Sequence, residues 1–112
     1  HSQLTVGRVE ALEQRIERSV KEAHLKVLLH GLDGQLHDLA YQYGRQAALV
    51  ERLRERLAGL EEGDAKTVRA LESELKAEEK MLAEINMERA RLCKEMDQVK
   101  FEWAQIRSIG SH

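Results

Sequence analysis

The side chains best suited to bind metal or act as nucleophiles are few and widely spaced. His30 and His37 lie seven residues apart, which on a helix separates them by about 10 Å, too far to share one metal ion. His24 is not placed to bridge them. Cys93 is the single cysteine, so no disulfide framework exists and the thiol is expected to be free. We therefore expect no metal site, no cofactor and solvated histidines.

The residues that build catalytic sites are present without the arrangement that catalysis needs. Gly31, Gly34 and Gly44 are scattered and follow no strand pattern, so they form no phosphate-binding loop. Adjacent carboxylates such as Glu61 and Glu62 arise from composition, because 34% of the residues are charged. A chain built from long helices also lacks the concave pocket in which a pKa is usually tuned. We expect that the chain is not an enzyme.

The composition is typical of long amphipathic helices. There is no proline, and aromatic residues make up 4% of the 112 residues, which would fill a compact core poorly. The net charge is -2, and acidic and basic residues are balanced in both halves. This balance predicts no nucleic-acid partner and no membrane partner.

Location and domain organisation follow from the same features. A lone cysteine, with neither a leader nor a membrane span, predicts an intracellular protein, cytoplasmic or cytoskeleton-associated. Residues 1–112 are expected to be a single coiled-coil domain. Residues 1–2 and 110–112 resemble cloning remnants.

Hydrophobic residues recur at spacings of three and four from residue 22 onward, which predicts two coiled-coil arms. We call these positions the seam. In the first arm they are Leu25, Leu29, Leu32, Leu36, Leu39, Tyr43, Val50, Leu53, Leu57 and Leu60, with Glu22 and Gln46 as polar exceptions. In the second arm they are Val68, Leu71, Leu75, Leu82, Ile85, Leu92, Met96, Val99, Trp103 and Ile106, with Glu78 and Arg89 as polar exceptions.

The two arms are out of phase with each other, which favours a turn between them over one unbroken rod. Gly63 can end a helix and Asp64 can cap the next one. We predict an all-α fold, a long antiparallel helical hairpin with helices over about 5–62 and 65–108 and a turn at about 63–64. This register places Gln46 and Glu78 in neighbouring layers, where a hydrogen bond between them would help to fix it.

Two alternative architectures are open at this point. Gly31 and Gly34 each weaken a helix by about 1 kcal/mol relative to alanine, and a break at 31–34 would give a three-helix bundle. A continuous parallel dimeric coiled coil is the other alternative.

A second apolar pattern occupies the N-terminal part of the first arm and does not merge with the seam. It comprises Val9, Leu12, Ile16, Val20, Ala23 and Val27, at spacings close to an eleven-residue repeat. In the hairpin this stripe would come together with Phe101, Trp103 and Ile109 at the end opposite the turn. An exposed apolar surface of this kind predicts a partner. We expect a homodimer that forms a local four-helix bundle there, with the stripe and these three residues as its interface.

These features predict a structural role. We expect a coiled-coil oligomerisation segment of a larger intracellular scaffold or cytoskeleton-associated protein, which mediates self-association and protein-protein interaction. The alternative is a regulatory coiled-coil module that binds a small GTPase or a motor protein, for which the outer residues Tyr41, Leu49 and Met87 would be available.

Overall fold

The fold is an antiparallel hairpin of two long α-helices. The structure is a computed structural model that describes residues 2–60 and 64–110, with side chains described for 5–60 and 64–109. Helix α1 spans Ser2–Ala58 and helix α2 spans Ala65–Gly110. No helix in the described ranges is both long enough and apolar enough to cross a membrane.

Helix α1 runs through Gly31 and Gly34 without interruption, so the three-helix alternative is wrong. A Cβ atom placed on either glycine would meet no atom within 4 Å, because both positions face outward. Leu32, which lies between them on the seam, is buried. Packing of the seam thus outweighs the low helix propensity of the two glycines.

The first helix ends earlier than the sequence predicted, at Ala58 rather than at residue 62. The amide of Gly59 still donates to the carbonyl of Glu55 at 3.0 Å, and the amide of Leu60 then donates to Leu57 at 3.3 Å. The step from a four-residue to a three-residue hydrogen bond is the tightening seen where helices terminate. Gly63, the predicted helix terminator, lies outside the described residues.

Asp64 caps the second helix. Its carboxylate accepts a hydrogen bond from the amide of Thr67 at 3.3 Å and from the Thr67 hydroxyl at 2.7 Å. These bonds satisfy one of the free amides at the start of a helix. The Thr67 hydroxyl, and then the Thr67 amide, hold the pKa of Asp64 below its usual value.

The hairpin divides into two compact units. The terminal unit combines the N-terminal part of α1 up to Gly34 with the part of α2 from Lys94 onward, and the turn unit is Gln35–Cys93. Each unit pairs a segment of α1 with an antiparallel segment of α2 around its own part of the seam. The core residues are Leu25, Leu32 and Ile106 in the terminal unit and Val50, Leu53, Leu71 and Leu92 in the turn unit.

The antiparallel direction is visible in contacts between the two helices of the turn unit. The Arg89 guanidinium lies 5.4 Å from the centre of the Tyr43 ring, and Gln46 donates a hydrogen bond to Glu78. As the residue number rises along α1 it falls along α2. Because the two helices of one chain run antiparallel, the continuous parallel rod is also wrong.

The lowered pKa of Asp64 predicts that the stability of the hairpin depends on pH in the acidic range. A carboxylate whose pKa is lowered by folding stabilises the fold above its unfolded pKa of 3.8, and this contribution is lost as the pH falls through the lower folded value. We predict that Asp64→Ala lowers the melting temperature at pH 7, and that Asp64→Asn retains most of the cap. Circular dichroism melts at pH 7 and below pH 3.8 test this.

The wild-type chain should lose stability relative to the Asp64→Asn variant as the pH falls through this acidic range. An identical decline in both proteins would show that the Asp64 cap contributes nothing to the acid response.

Candidate protein interaction surface

The side chains considered for metal or nucleophilic chemistry are spread over the helix surfaces. His24, His30, His37 and Cys93 are all exposed. Among the residues that the structure describes, no group of three or more His, Cys, Asp or Glu side chains could hold a metal ion. A hydrogen bond from Arg91, one helical turn away, lowers the pKa of Glu88. This is an ordinary ion pair of a helix surface.

The seam residues singled out from the sequence line the contact between the helices. Seven of them are buried: Leu25, Leu32, Val50, Leu53, Leu71, Leu92 and Ile106. The other apolar seam residues are half-buried, as expected when only two helices share a core: Leu29, Leu36, Leu39, Tyr43, Leu57, Leu60, Val68, Leu75, Leu82, Ile85, Met96, Val99 and Trp103.

Gln46 and Glu78, the polar seam residues proposed to fix the register, are hydrogen-bonded to each other. The Gln46 amide nitrogen donates to the backbone carbonyl of Glu78 at 2.9 Å and also to the Glu78 carboxylate. Both side chains are half-buried, so water reaches the edge of the layer. A hydrogen bond across the helices stabilises one alignment of the two arms relative to the others.

The other polar seam positions are accommodated by aromatic side chains. Arg89 packs its guanidinium over the ring of Tyr43. In the terminal unit the Trp103 indole nitrogen donates to the Glu22 carboxylate at 2.9 Å. Arg107 lies 4.7 Å from the Trp103 ring centre and 3.7 Å from the same carboxylate. The indole therefore has a polar partner within its own chain, and Trp103 is half-buried in the seam.

The N-terminal stripe is exposed. Val27 retains 71% of its accessible surface, and Val9, Leu12, Ile16 and Val20 are also exposed. Val6 belongs to the same stripe, since it is exposed and lies three residues before Val9; the spacing alone could have identified it. All residues from Thr5 to Glu17 are exposed.

Helical geometry shows that Phe101 does not share a surface with the stripe. Val27 lies two residues from both Leu25 and Leu29, which is about 200° around the helix, so the stripe faces away from α2. Phe101 lies two residues from both Val99 and Trp103, so it faces away from α1. Because the outer faces of two paired helices point in opposite directions, Phe101 and the stripe lie on separate surfaces of the hairpin. The interface expected from the sequence stays a prediction.

Ile109 is exposed, and helical geometry places it about 60° around α2 from the buried Ile106. It lies at the edge of the seam, on neither of the two outer faces. Trp103 lies between the helices. Of the expected interface, the stripe alone forms a continuous surface along one helix.

A second surface lies in the turn unit. A shallow groove of about 930 Å³ runs between the helices, with Tyr41, Arg45 and Leu49 on the α1 side and Met81 and Ile85 on the α2 side. Ala40, Gly44 and Ala48 also line it. Met87, grouped with Tyr41 and Leu49 in the sequence, does not line it.

Comparison of the chain with protein-family models, with curated proteins and with solved structures gives no match. The functional inference therefore depends on the surfaces of the molecule.

The contact between Glu22 and Trp103 can be tested by fluorescence, because Trp103 is the single tryptophan. We predict that Glu22→Ala shifts the emission to longer wavelength and lowers the free energy of unfolding by about 1 kcal/mol, since a half-exposed indole loses a charged acceptor. Glu22→Gln, which keeps an acceptor, should shift the emission less.

Glu17→Ala, which removes an exposed carboxylate from the same helix, serves as the control and should leave the emission unchanged. Emission that is insensitive to Glu22→Ala would show that the indole is bonded elsewhere.

Proposed function

We propose that this chain is a coiled-coil oligomerisation segment of a larger intracellular scaffold or cytoskeleton-associated protein. In this role it holds its partners at a set spacing by self-association. The observation that carries the proposal is that α1 has two apolar faces. One face packs on α2 along the seam, and the other, the N-terminal stripe, is exposed in the single chain.

The hydrophobic effect supports this proposal. Exposed apolar side chains in a continuous row stabilise an assembly that removes them from water, at roughly 25 cal/mol per Å² of area buried. The stripe from Val6 to Val27 extends about 32 Å along the helix. A second helix laid along it would bury the whole row and would leave the seam undisturbed.

Charged substitutions in the stripe test self-association. We predict that Val9→Glu with Ile16→Glu converts a dimer into a monomer in light scattering and raises the dissociation constant by about a hundredfold or more, because each carboxylate would be buried. Helicity should be nearly unchanged, since the seam is not altered.

Ala11→Glu with Gln14→Glu is the matched control. It adds the same two charges to the same segment, on exposed positions away from the stripe, and it should leave the dimer intact. A wild-type chain that is monomeric at high concentration would contradict the proposed function, and a dimer that survives both charged variants would place the interface elsewhere.

The groove of the turn unit favours a second candidate function, a regulatory module that binds a small GTPase or a motor protein. Tyr41 and Leu49 offer apolar contact there, and Arg45 and Arg52 offer positive charge. Gly44 also lines the groove, and a Cβ atom placed on it would meet no atom within 4 Å. A larger side chain at this position would fill the groove without disturbing the hairpin.

Binding to purified small GTPases, loaded with GTP analogue or GDP, tests this candidate. We predict that Gly44→Leu reduces binding at least tenfold, and that Gly34→Leu, at an equally open helical glycine outside the groove, leaves it unchanged. Binding with the same affinity for both nucleotide states and for the Gly44→Leu variant would rule out a regulatory role for the groove.

A further inference from the structure

Basic and acidic side chains lie on opposite edges of the stripe, an arrangement that self-association alone does not require. Successive residues advance by 100° around a helix, so each charge can be placed relative to the stripe. Arg8, Arg15 and Lys26 lie along one edge of the stripe. Glu10, Glu13 and Glu17 lie along the other edge. All six side chains are exposed, so over residues 8–17 one edge of the stripe is basic and the other acidic. Beyond this segment Lys21 lies on the same edge as Glu10.

This division discriminates between the two ways in which identical helices can pair. When two copies lie parallel, the basic edge of each faces the acidic edge of the other. When they lie antiparallel, the basic edges face each other and so do the acidic edges. Opposite charges at the flanking positions of a coiled coil set its orientation. The charge arrangement therefore favours the parallel pair and disfavours the antiparallel one.

The apolar residues of the stripe agree with a two-stranded parallel pair. Val9 and Val20 are equivalent positions in consecutive eleven-residue repeats. Leu12 lies three residues after Val9, and Ala23 lies three residues after Val20. Val9 and Leu12 place a β-branched residue and a leucine at adjacent core positions, the combination that favours two strands in parallel coiled coils. An eleven-residue repeat also keeps the row on one face of a nearly straight helix.

We propose that the stripe is the core of a parallel two-stranded contact with a second copy of this chain, with Arg8 of one copy beside Glu13 of the other. This inference rests on the proposed self-association and adds the surface, the orientation and the charge pair. A separation of five residues between the two charges is the one at which flanking side chains meet across a parallel coiled coil. Each dimer would contain this pair twice.

Cysteine cross-linking tests the orientation in the full chain, with Cys93→Ser as background. In a parallel pair every stripe residue lies next to its own copy, so Val9→Cys and Val20→Cys should each form an intermolecular disulfide under mild oxidation. In an antiparallel pair only one position can lie at the twofold axis. Gln14→Cys, placed away from the stripe, is the control for random collision and should link much more slowly.

The outcomes separate this proposal from the proposed function. Linking at both positions, faster than at the control, supports the parallel contact. In a second outcome, light scattering shows a dimer whose cross-links form at one position only, at neither position, or no faster than at the control. That result overturns the parallel contact and leaves self-association standing. A monomeric chain overturns both.

Exchange of the charges provides an independent test. We predict that Arg8→Glu weakens the dimer about tenfold, because two attractive pairs become repulsive. Adding Glu13→Arg in the same chain should restore the affinity, since the pair is re-formed with its signs reversed. Unchanged or tighter association of the single variant, or failure of the second substitution to restore it, would overturn the pairing of Arg8 with Glu13.

Discussion

The structure depends on the fact that a pair of helices can bury only one side of each. The seam supplies that side, and its buried residues lie at intervals along both arms. Because the described ranges contain no third helix to cover the outer faces, any other apolar row there is left exposed to water. The position of the seam therefore determines both the fold and the surface available for binding.

A core this narrow tolerates polar residues in a way that a globular core does not. Gln46 bonds to Glu78 across the helices, and Trp103 bonds to Glu22. These polar groups lie near solvent, so their desolvation costs little free energy, and each has a hydrogen-bond partner. Within the described part of the chain no buried side-chain nitrogen or oxygen lacks a hydrogen-bond partner. These contacts favour one register at small cost in stability.

Much of the fold was predictable because it depends on local sequence. Heptad spacing identified the arms, and the phase change between them together with Asp64 identified the turn. Helix α1 ends at Ala58, directly before Gly59, and a glycine weakens a helix by about 1 kcal/mol relative to alanine. Heptad spacing does not report this effect. The separation of Phe101 from the stripe was missed because the two outer faces become opposite only once the helices are paired. Function was the least predictable, because the expectation rested on composition and apolar spacing, which coiled coils of many different roles share.

One distance tests most directly the claim that the seam residues of the two arms pack against each other within one molecule. Spin labels at His30 and Gln98, both exposed, would be measured in chains diluted with unlabelled protein. Helix axes in contact lie about 8–10 Å apart, so the hairpin predicts a label separation of about 20 Å. A separation near 100 Å, expected for 68 residues along one unbroken helix at 1.5 Å each, would contradict it.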